Sequence, residues 1–401
     1  MLKLERLQKP TGKHAIGFHH TSLIDESRDV NGKGSRELPI MIWYPSASVE
    51  GCEPKPYQPR QAFEVNYDLH LGLIKSLPWP LSTIFKNIFQ KIKFADILTN
   101  AFIDAPLINT GGKRPLLIFS QGHTSLMTQN TILVEELASH GYVVLSIAVP
   151  DETVAEYPDG RVTPVDQKMV TELRKKDVFL TNKLLRNLKK RKKITLEEFS
   201  NFTRLFYEPN KNEVKPSMTE YNDFVHGRMK IWYQDLLFVL QHLDDLDPFK
   251  NKLDTEKIGV FGMSMGGGLA SCAAYYKAPN VVAALSLDGC HYGMPYDGKL
   301  EIPFMNIHGY DTSSLLFDKM DKDAYSVKVA DTEHLDYTDF TLLEPVYKQI
   351  GYTGKKVNPR IMLEIMNKYA LAFFDQYVKG IDRDAVLKGK PLFENIEFEH
   401  K

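Results

Sequence analysis

One serine in this sequence lies between small residues in a pattern that can make its hydroxyl a nucleophile. Gly262, Ser264 and Gly266 form a G-x-S-x-G pattern, which follows an apolar run at 258–261 and precedes a run of small residues that favours a helix. A sharp turn from strand to helix lifts a serine above the edge of a sheet and strains its backbone, so its neighbours two positions away must be small. The sequence therefore predicts a nucleophile at Ser264.

A serine nucleophile needs a general base, and the base needs an acid that orients it. In hydrolases with this turn, the acid and then the histidine follow the serine along the chain. His334 follows the last predicted parallel strand and is the best candidate for the base, whereas His308 stands where an acid is expected and His291 suits a pocket wall. Asp288 and Asp311 each follow a predicted strand. The pattern alone leaves these two aspartates nearly equal as the acid.

Ester cleavage by a serine also needs two backbone N–H donors for the oxyanion. The residue after the nucleophile, Met265, is expected to supply one of them. The other is expected from the loop that follows the predicted strand 115–119.

Buried strands alternate with helices along much of the chain, which is typical of a mostly parallel, doubly wound sheet. Side chains of a site then lie beyond the carboxyl ends of the strands. We predict an α/β-hydrolase fold in a single domain, 1–401, with helical insertions at about 60–110 and 163–225 that form a cap or lid. The predicted strands are 14–18, 39–44, 115–119, 142–149, 258–261, 281–287, 303–307 and 325–329, and the main helices are 131–140, 225–246 and 359–378.

An apolar stripe stands out in the segment 71–98. Ile84, Phe85, Ile88 and Phe89 share one face of a predicted amphipathic helix. Packing against the core is the commoner explanation of such a stripe. The alternative is a lid or a peripheral membrane contact.

Composition excludes several classes of function. The chain has 401 residues, of which 43% are hydrophobic and 25% are charged, and its net charge of −1 gives no field that would attract nucleic acid. No apolar run is long enough to span a membrane, and the first residues do not form a signal peptide. We therefore expect a cytoplasmic protein, or a secreted or periplasmic one if a leader was removed. No metal or organic cofactor is expected.

Several short motifs in the correct order resemble the platelet-activating factor acetylhydrolase family, plasma and type II branch. The stretch Phe119-Ser-Gln-Gly-His-Thr124 is followed by Leu137-Ala-Ser-His-Gly-Tyr-Val-Val144, as in that family. The stretch 257–267, which contains the G-x-S-x-G turn, and the pair Leu287-Asp288 match as well. The chain departs from the family at Gln121, where the family has histidine.

The resemblance implies site residues that the pattern left open. It assigns the acid to Asp288 and the second oxyanion donor to the backbone N–H of His123. Gly309 and Asp311 resemble the acid site of dienelactone hydrolases, so Asp311 remains the alternative.

The expected function is a serine ester hydrolase with Ser264, Asp288 and His334 as its catalytic residues. The resemblance implies that its substrates are phospholipids with short or oxidised acyl chains. A generic carboxylesterase or a dienelactone-hydrolase-like enzyme fits the same residues. A lipid-surface binding protein with secondary esterase activity is the alternative from another class.

Overall fold

The structure is a computed structural model that describes residues 4–58 except 31 and 33, then 97–169, 216–289, 299–309, 323–343, 353–354 and 356–401. Single residues between these ranges are also described, namely 172, 293, 317 and 320, and for 216–223 the description covers the backbone alone.

The described residues form one large sheet and a small hairpin. The strands are β1 Ala15–Asp29, β2 Ser35–Ser46, β3 Pro54–Pro56, β4 Leu98–Ile103, β5 Arg114–Ser120, β6 Val143–Ile147, β7 Ala155–Glu156, β8 Val162–Thr163, β9 Leu253–Met263, β10 Val281–Leu287, β11 Phe304–His308, β12 Ala324–Val329 and β13 Ile396–His400. Eleven of them make the sheet, in the order β13-β12-β11-β10-β9-β5-β6-β2-β1-β4-β3, and β7 pairs with β8.

The six central strands of the sheet, from β12 to β6, are parallel to one another. The chain runs outward from β5 to β6 on one side and from β9 through β12 on the other. The strand order therefore reverses between β5 and β9. In open α/β sheets, ligands bind beyond the carboxyl ends of the strands at such a reversal.

Helices cover both faces of the sheet. The described helices are α1 Thr131–Ser139, α2 Pro216–Gln241, α3 Met265–Tyr275, α4 Phe340–Leu343, α5 Pro359–Tyr377 and α6 Asp384–Leu387, with 3₁₀ turns at Leu243–Asp245 and His334–Tyr337. Residues of α1 and α5 share one hydrophobic core cluster, and residues of α2 and α3 share the other. The predicted doubly wound α/β sheet is confirmed.

Some elements differ from the sequence prediction. β4 lies within the range that we assigned to an insertion, 60–110, yet it pairs with β1 and belongs to the sheet. β13 was not predicted, although Ile396–His400 alternates apolar and charged residues as an edge strand does. Most of both predicted insertions lies outside the described residues, and so does the apolar stripe at 84–92. None of the described helices is both long and apolar enough to cross a membrane.

Candidate active site

Ser264 occupies the turn between β9 and α3, as the G-x-S-x-G pattern predicts. Its backbone has φ 56° and ψ −118°, a strained conformation for a residue with a side chain. The turn is fixed by a hydrogen bond of 3.0 Å from the Ser264 N–H to the Leu287 carbonyl. A Cβ on Gly262 would overlap the backbone of Gly266, and one on Gly266 would overlap the Ser120 carbonyl. These glycines are therefore needed because the backbones approach too closely for any side chain.

The structure brings His334 and Asp288 to this serine. His334 Nε2 lies 2.9 Å from Ser264 Oγ, and His334 Nδ1 lies 2.6 Å from Asp288 Oδ2. The Asp288 side chain is only 6% exposed, and its other oxygen accepts the Gly309 N–H at 3.1 Å. Three side chains thus form one hydrogen-bonded line from a buried carboxylate to a serine hydroxyl.

The other sequence candidates do not join this line in the described structure. His308 is buried in β11, and its Nε2 lies 2.9 Å from Ser326 Oγ, so its side chain links two neighbouring strands of the sheet. Asp311 and His291 lie outside the described residues.

A second carboxylate holds the loop that carries His334. His334 begins a 3₁₀ turn whose capping box pairs Glu333 with Asp336. The buried Asp336 carboxylate accepts the Glu333 N–H at 2.8 Å, the Gly354 N–H at 2.6 Å and the Thr341 hydroxyl at 2.8 Å. Burial raises the pKa of Asp336, while these donors oppose the rise. The imidazole therefore stands on a turn that is hydrogen-bonded on several sides.

Met265 and His123, the two expected oxyanion donors, belong to segments that adjoin Ser264. Met265 is the first residue of α3, and His123 follows β5. Within the described ranges, neither N–H donates to a protein acceptor. Gly122 lies so close to the serine that a Cβ there would be 3.3 Å from Ser264 Cβ. The loop after β5 is therefore packed against Ser264.

The His123 side chain faces a buried ion pair that the sequence did not reveal. His123 Nε2 lies 3.0 Å from Glu152 Oε2, and Arg228 contacts the other oxygen of this fully buried carboxylate. Burial lowers the pKa of His123 to about 4, and the charge of Arg228 adds to this effect. The neutral imidazole thus donates Nε2–H to Glu152 and helps to hold the loop. No local motif links these residues, because they come from three separate elements.

The part of the site that the structure describes contains no cluster of metal ligands. Among the described residues, no cluster of three or more His, Cys, Asp or Glu has a geometry that fits one. A cavity of about 710 Å³ lies beyond the end of β6, and its lining includes none of Ser264, Asp288 and His334. Its guanidinium groups are already paired, Arg36 with Asp235 and Arg161 with Glu37.

Comparison with known proteins gives a consistent result. The family model for platelet-activating factor acetylhydrolase, isoform II, matches residues 3–397. A platelet-activating factor acetylhydrolase from Canis lupus familiaris is 23% identical over 97% of this chain and 82% of its own length. The corresponding protein from Bos taurus is 26% identical over 94% of this chain and 78% of its own length. Among solved structures, a ferulic acid esterase from Streptomyces cinnamoneus superposes with a TM-score of 0.66 at 20% identity, covering 98% of this chain and 99% of that chain.

Proposed function

Because this chain belongs to the platelet-activating factor acetylhydrolase isoform II family and is a carboxylic ester hydrolase, we propose that Ser264, His334 and Asp288 are its catalytic residues. The observation that carries the proposal is the line of hydrogen bonds from Asp288 through His334 to Ser264, with lengths of 2.6 and 2.9 Å. A serine, a histidine and a carboxylate in this arrangement form an acyl-enzyme and then hydrolyse it.

Each side chain has one role in this reaction. Ser264 Oγ attacks the ester carbonyl while His334 Nε2 takes its proton, and the imidazolium then protonates the leaving alcohol. Asp288 accepts a hydrogen bond from His334 Nδ1–H, so Nε2 is kept free of hydrogen before the attack. A water molecule, activated by His334 in the same way, then attacks the acyl-enzyme and releases the carboxylic acid.

The negative charge of the tetrahedral intermediate develops on the former carbonyl oxygen. The N–H groups of Met265 and His123 would donate to this oxygen, since Met265 directly follows Ser264 and His123 directly follows Gly122, which packs against Ser264. The amino end of α3 adds a partial positive charge at the same place. Such preformed donors stabilise the transition state more than the substrate.

For the substrate, we propose phospholipids whose acyl chain is short or oxidised. The family membership and the names of the relatives support this class. Small carboxylic esters in general are the second candidate, because the same three residues would act on any ester that reaches Ser264. The segment 71–98, of which residues 71–96 lie outside the described residues, would provide the peripheral contact with a lipid surface.

Covalent labelling tests the nucleophile. A fluorophosphonate probe should modify the peptide that contains Ser264, as located by mass spectrometry, and Ser264→Ala should abolish both labelling and ester hydrolysis. Ser271→Ala is the matched control, since Ser271 lies in α3 and donates to the Gly267 carbonyl instead. Labelling of another residue, or activity in Ser264→Ala, would refute the proposal.

A substrate panel tests the substrate class. The enzyme should hydrolyse dispersed phosphatidylcholines with short acyl chains faster than those with long chains, with p-nitrophenyl esters as a reference. Equal rates on all small esters, with none on phospholipids, would favour the generic esterase. Binding to vesicles without labelling or hydrolysis would instead indicate a lipid-surface binding protein.

A further inference from the structure

We propose that the buried pair Gln129 and Asn130 is a positioning bridge that holds the oxyanion loop at a fixed distance from the His334 turn. The inference rests on the proposed function, in which the loop that carries His123 supplies an oxyanion donor and His334 is the general base. Both amide side chains are almost completely buried, with 1% and 0% exposure. Burial of two amides is costly unless each polar atom has a hydrogen-bond partner, so the pair is retained only if its hydrogen bonds are made.

On one side the bridge holds the oxyanion loop. The Gly122 N–H donates to Gln129 Oε1 at 3.0 Å. Gly122 immediately precedes His123, the proposed second donor, and a Cβ on Gly122 would lie 3.3 Å from both Ser264 Cβ and Gln129 Oε1. Gln129 therefore fixes the peptide group between Gln121 and Gly122. The direction of the next peptide group, which carries the His123 N–H, depends on it.

On the other side the bridge holds the turn of the proposed base. Gln129 Nε2 donates to Asn130 Oδ1 at 3.1 Å, and Asn130 Nδ2 donates to the Tyr337 carbonyl at 2.8 Å. Tyr337 is the last residue of the 3₁₀ turn that begins at His334. The bridge therefore connects the two loops that contact Ser264, one through Gly122 and the other through His334.

The orientation of both amides is determined from one end to the other. Gly122 N–H can only donate, so the oxygen of Gln129 must face it and the NH₂ group must face Asn130. The oxygen of Asn130 must then accept, and its NH₂ group must face the Tyr337 carbonyl. A second contact supports the bridge, because the Asp339 N–H donates to the Gln129 carbonyl at 3.0 Å while its carboxylate accepts the Ile132 N–H.

The test compares two variants that break the bridge at different places. Gln129→Met removes the acceptor of the Gly122 N–H at similar volume, and Asn130→Asp keeps the acceptor for Gln129 but cannot donate to Tyr337. We expect Gln129→Met to lower kcat on p-nitrophenyl acetate by about 10- to 100-fold with KM nearly unchanged, because the oxyanion forms only after binding. Gln129→Glu keeps the acceptor for the Gly122 N–H but cannot donate to Asn130 Oδ1, so it should recover only part of this loss.

A transition-state analogue provides a readout that a merely structural role would not change. A trifluoromethyl ketone adds to the serine as an oxyanion, so its inhibition constant should rise in Gln129→Met by the same factor by which kcat falls. The loss in Asn130→Asp should be smaller, and the double variant should lose less than the product of the two, since both act through one bridge.

Thr128→Val is the matched control. Thr128 precedes the pair and is fully buried, and its hydroxyl has no hydrogen-bond partner in the described structure. Its kcat per folded protein should stay within about twofold of the parent. Equal kcat in Gln129→Met and Thr128→Val, or a loss confined to the melting temperature, would overturn the bridge while leaving the proposed function intact. Activity in Ser264→Ala, measured in parallel, would instead show that the proposed function itself is wrong.

Discussion

Replacing Asp288 by Asn tests the proposed acid directly, because the shape is kept and one oxygen becomes an NH₂ group. In the structure, Asp288 Oδ1 accepts the Gly309 N–H at 3.1 Å and Oδ2 lies 2.6 Å from His334 Nδ1. The Gly309 N–H requires the remaining oxygen of the amide. The NH₂ group of the variant must therefore face His334 Nδ1.

The size of the effect follows from the tautomer of the imidazole. An NH₂ group donates and cannot accept, so Nδ1 must lose its hydrogen and Nε2 must carry it. Nε2–H then points at Ser264 and cannot take the hydroxyl proton. The same wrong tautomer in a serine protease costs ~10⁴ in kcat. We expect a loss of about 10⁴ here, which corresponds to about 5.4 kcal/mol in the activation free energy.

The assay is kcat on p-nitrophenyl acetate, with circular dichroism to show that each variant is folded. Asp331→Asn is the matched control, because Asp331 lies in the same loop as His334, its side chain is 56% exposed, and asparagine tolerates its φ of 60°. Asp311→Asn tests the alternative acid and should lose far less than Asp288→Asn. A loss below about tenfold in Asp288→Asn, or a larger loss in Asp311→Asn, would refute the assignment.

Three further predictions address the turn, the core and the lipid contact. Gly266→Ala should reduce activity and cost about 1–3 kcal/mol of stability, because its Cβ overlaps the Ser120 carbonyl; urea unfolding with an activity assay checks this. Burial raises the pKa of Glu156 from 4.5 to about 7, so its carboxylate lowers stability as pH rises through this interval. Glu156→Gln should remove this fall, about 3 kcal/mol at most, which thermal or urea unfolding at pH 5 and pH 8 would measure, and an unchanged slope would contradict it. If residues 71–98 contact lipid, replacing both Phe85 and Phe89 by Ser should preserve hydrolysis of p-nitrophenyl acetate and lower activity on vesicles, whereas a joint loss with the melting temperature would place the stripe in the core.

The centre of the fold could be predicted from local sequence. Short apolar strands followed by helices indicate a parallel sheet, and the sterics of the turn require glycine at positions 262 and 266 around Ser264. His334 and Asp288 could be placed near this serine, because the carboxyl ends of parallel strands meet at one edge. Their catalytic roles remain predictions for the variants above.

The supporting contacts could not be predicted in this way. Asn130 and Tyr337 are separated by 207 positions in the chain, and Gly122 and Gln129 interact through a loop that has no repeated pattern. Glu152 likewise looks like an ordinary loop carboxylate until the fold brings it to His123. Contacts of this kind depend on how the loops pack in the folded protein, which periodicity and short motifs do not predict.

The outermost described strand on one side of the sheet, β3, bears on how copies of this protein meet one another. The Tyr57 N–H and the Glu53 carbonyl both bond to the β4 side, so the backbone of residues 54 and 56 faces outward. Both are prolines, Pro54 and Pro56, and therefore present no N–H there. At these two described positions, a strand from another molecule would find no backbone donor. The two prolines of β3 thus disfavour aggregation by strand addition at this position.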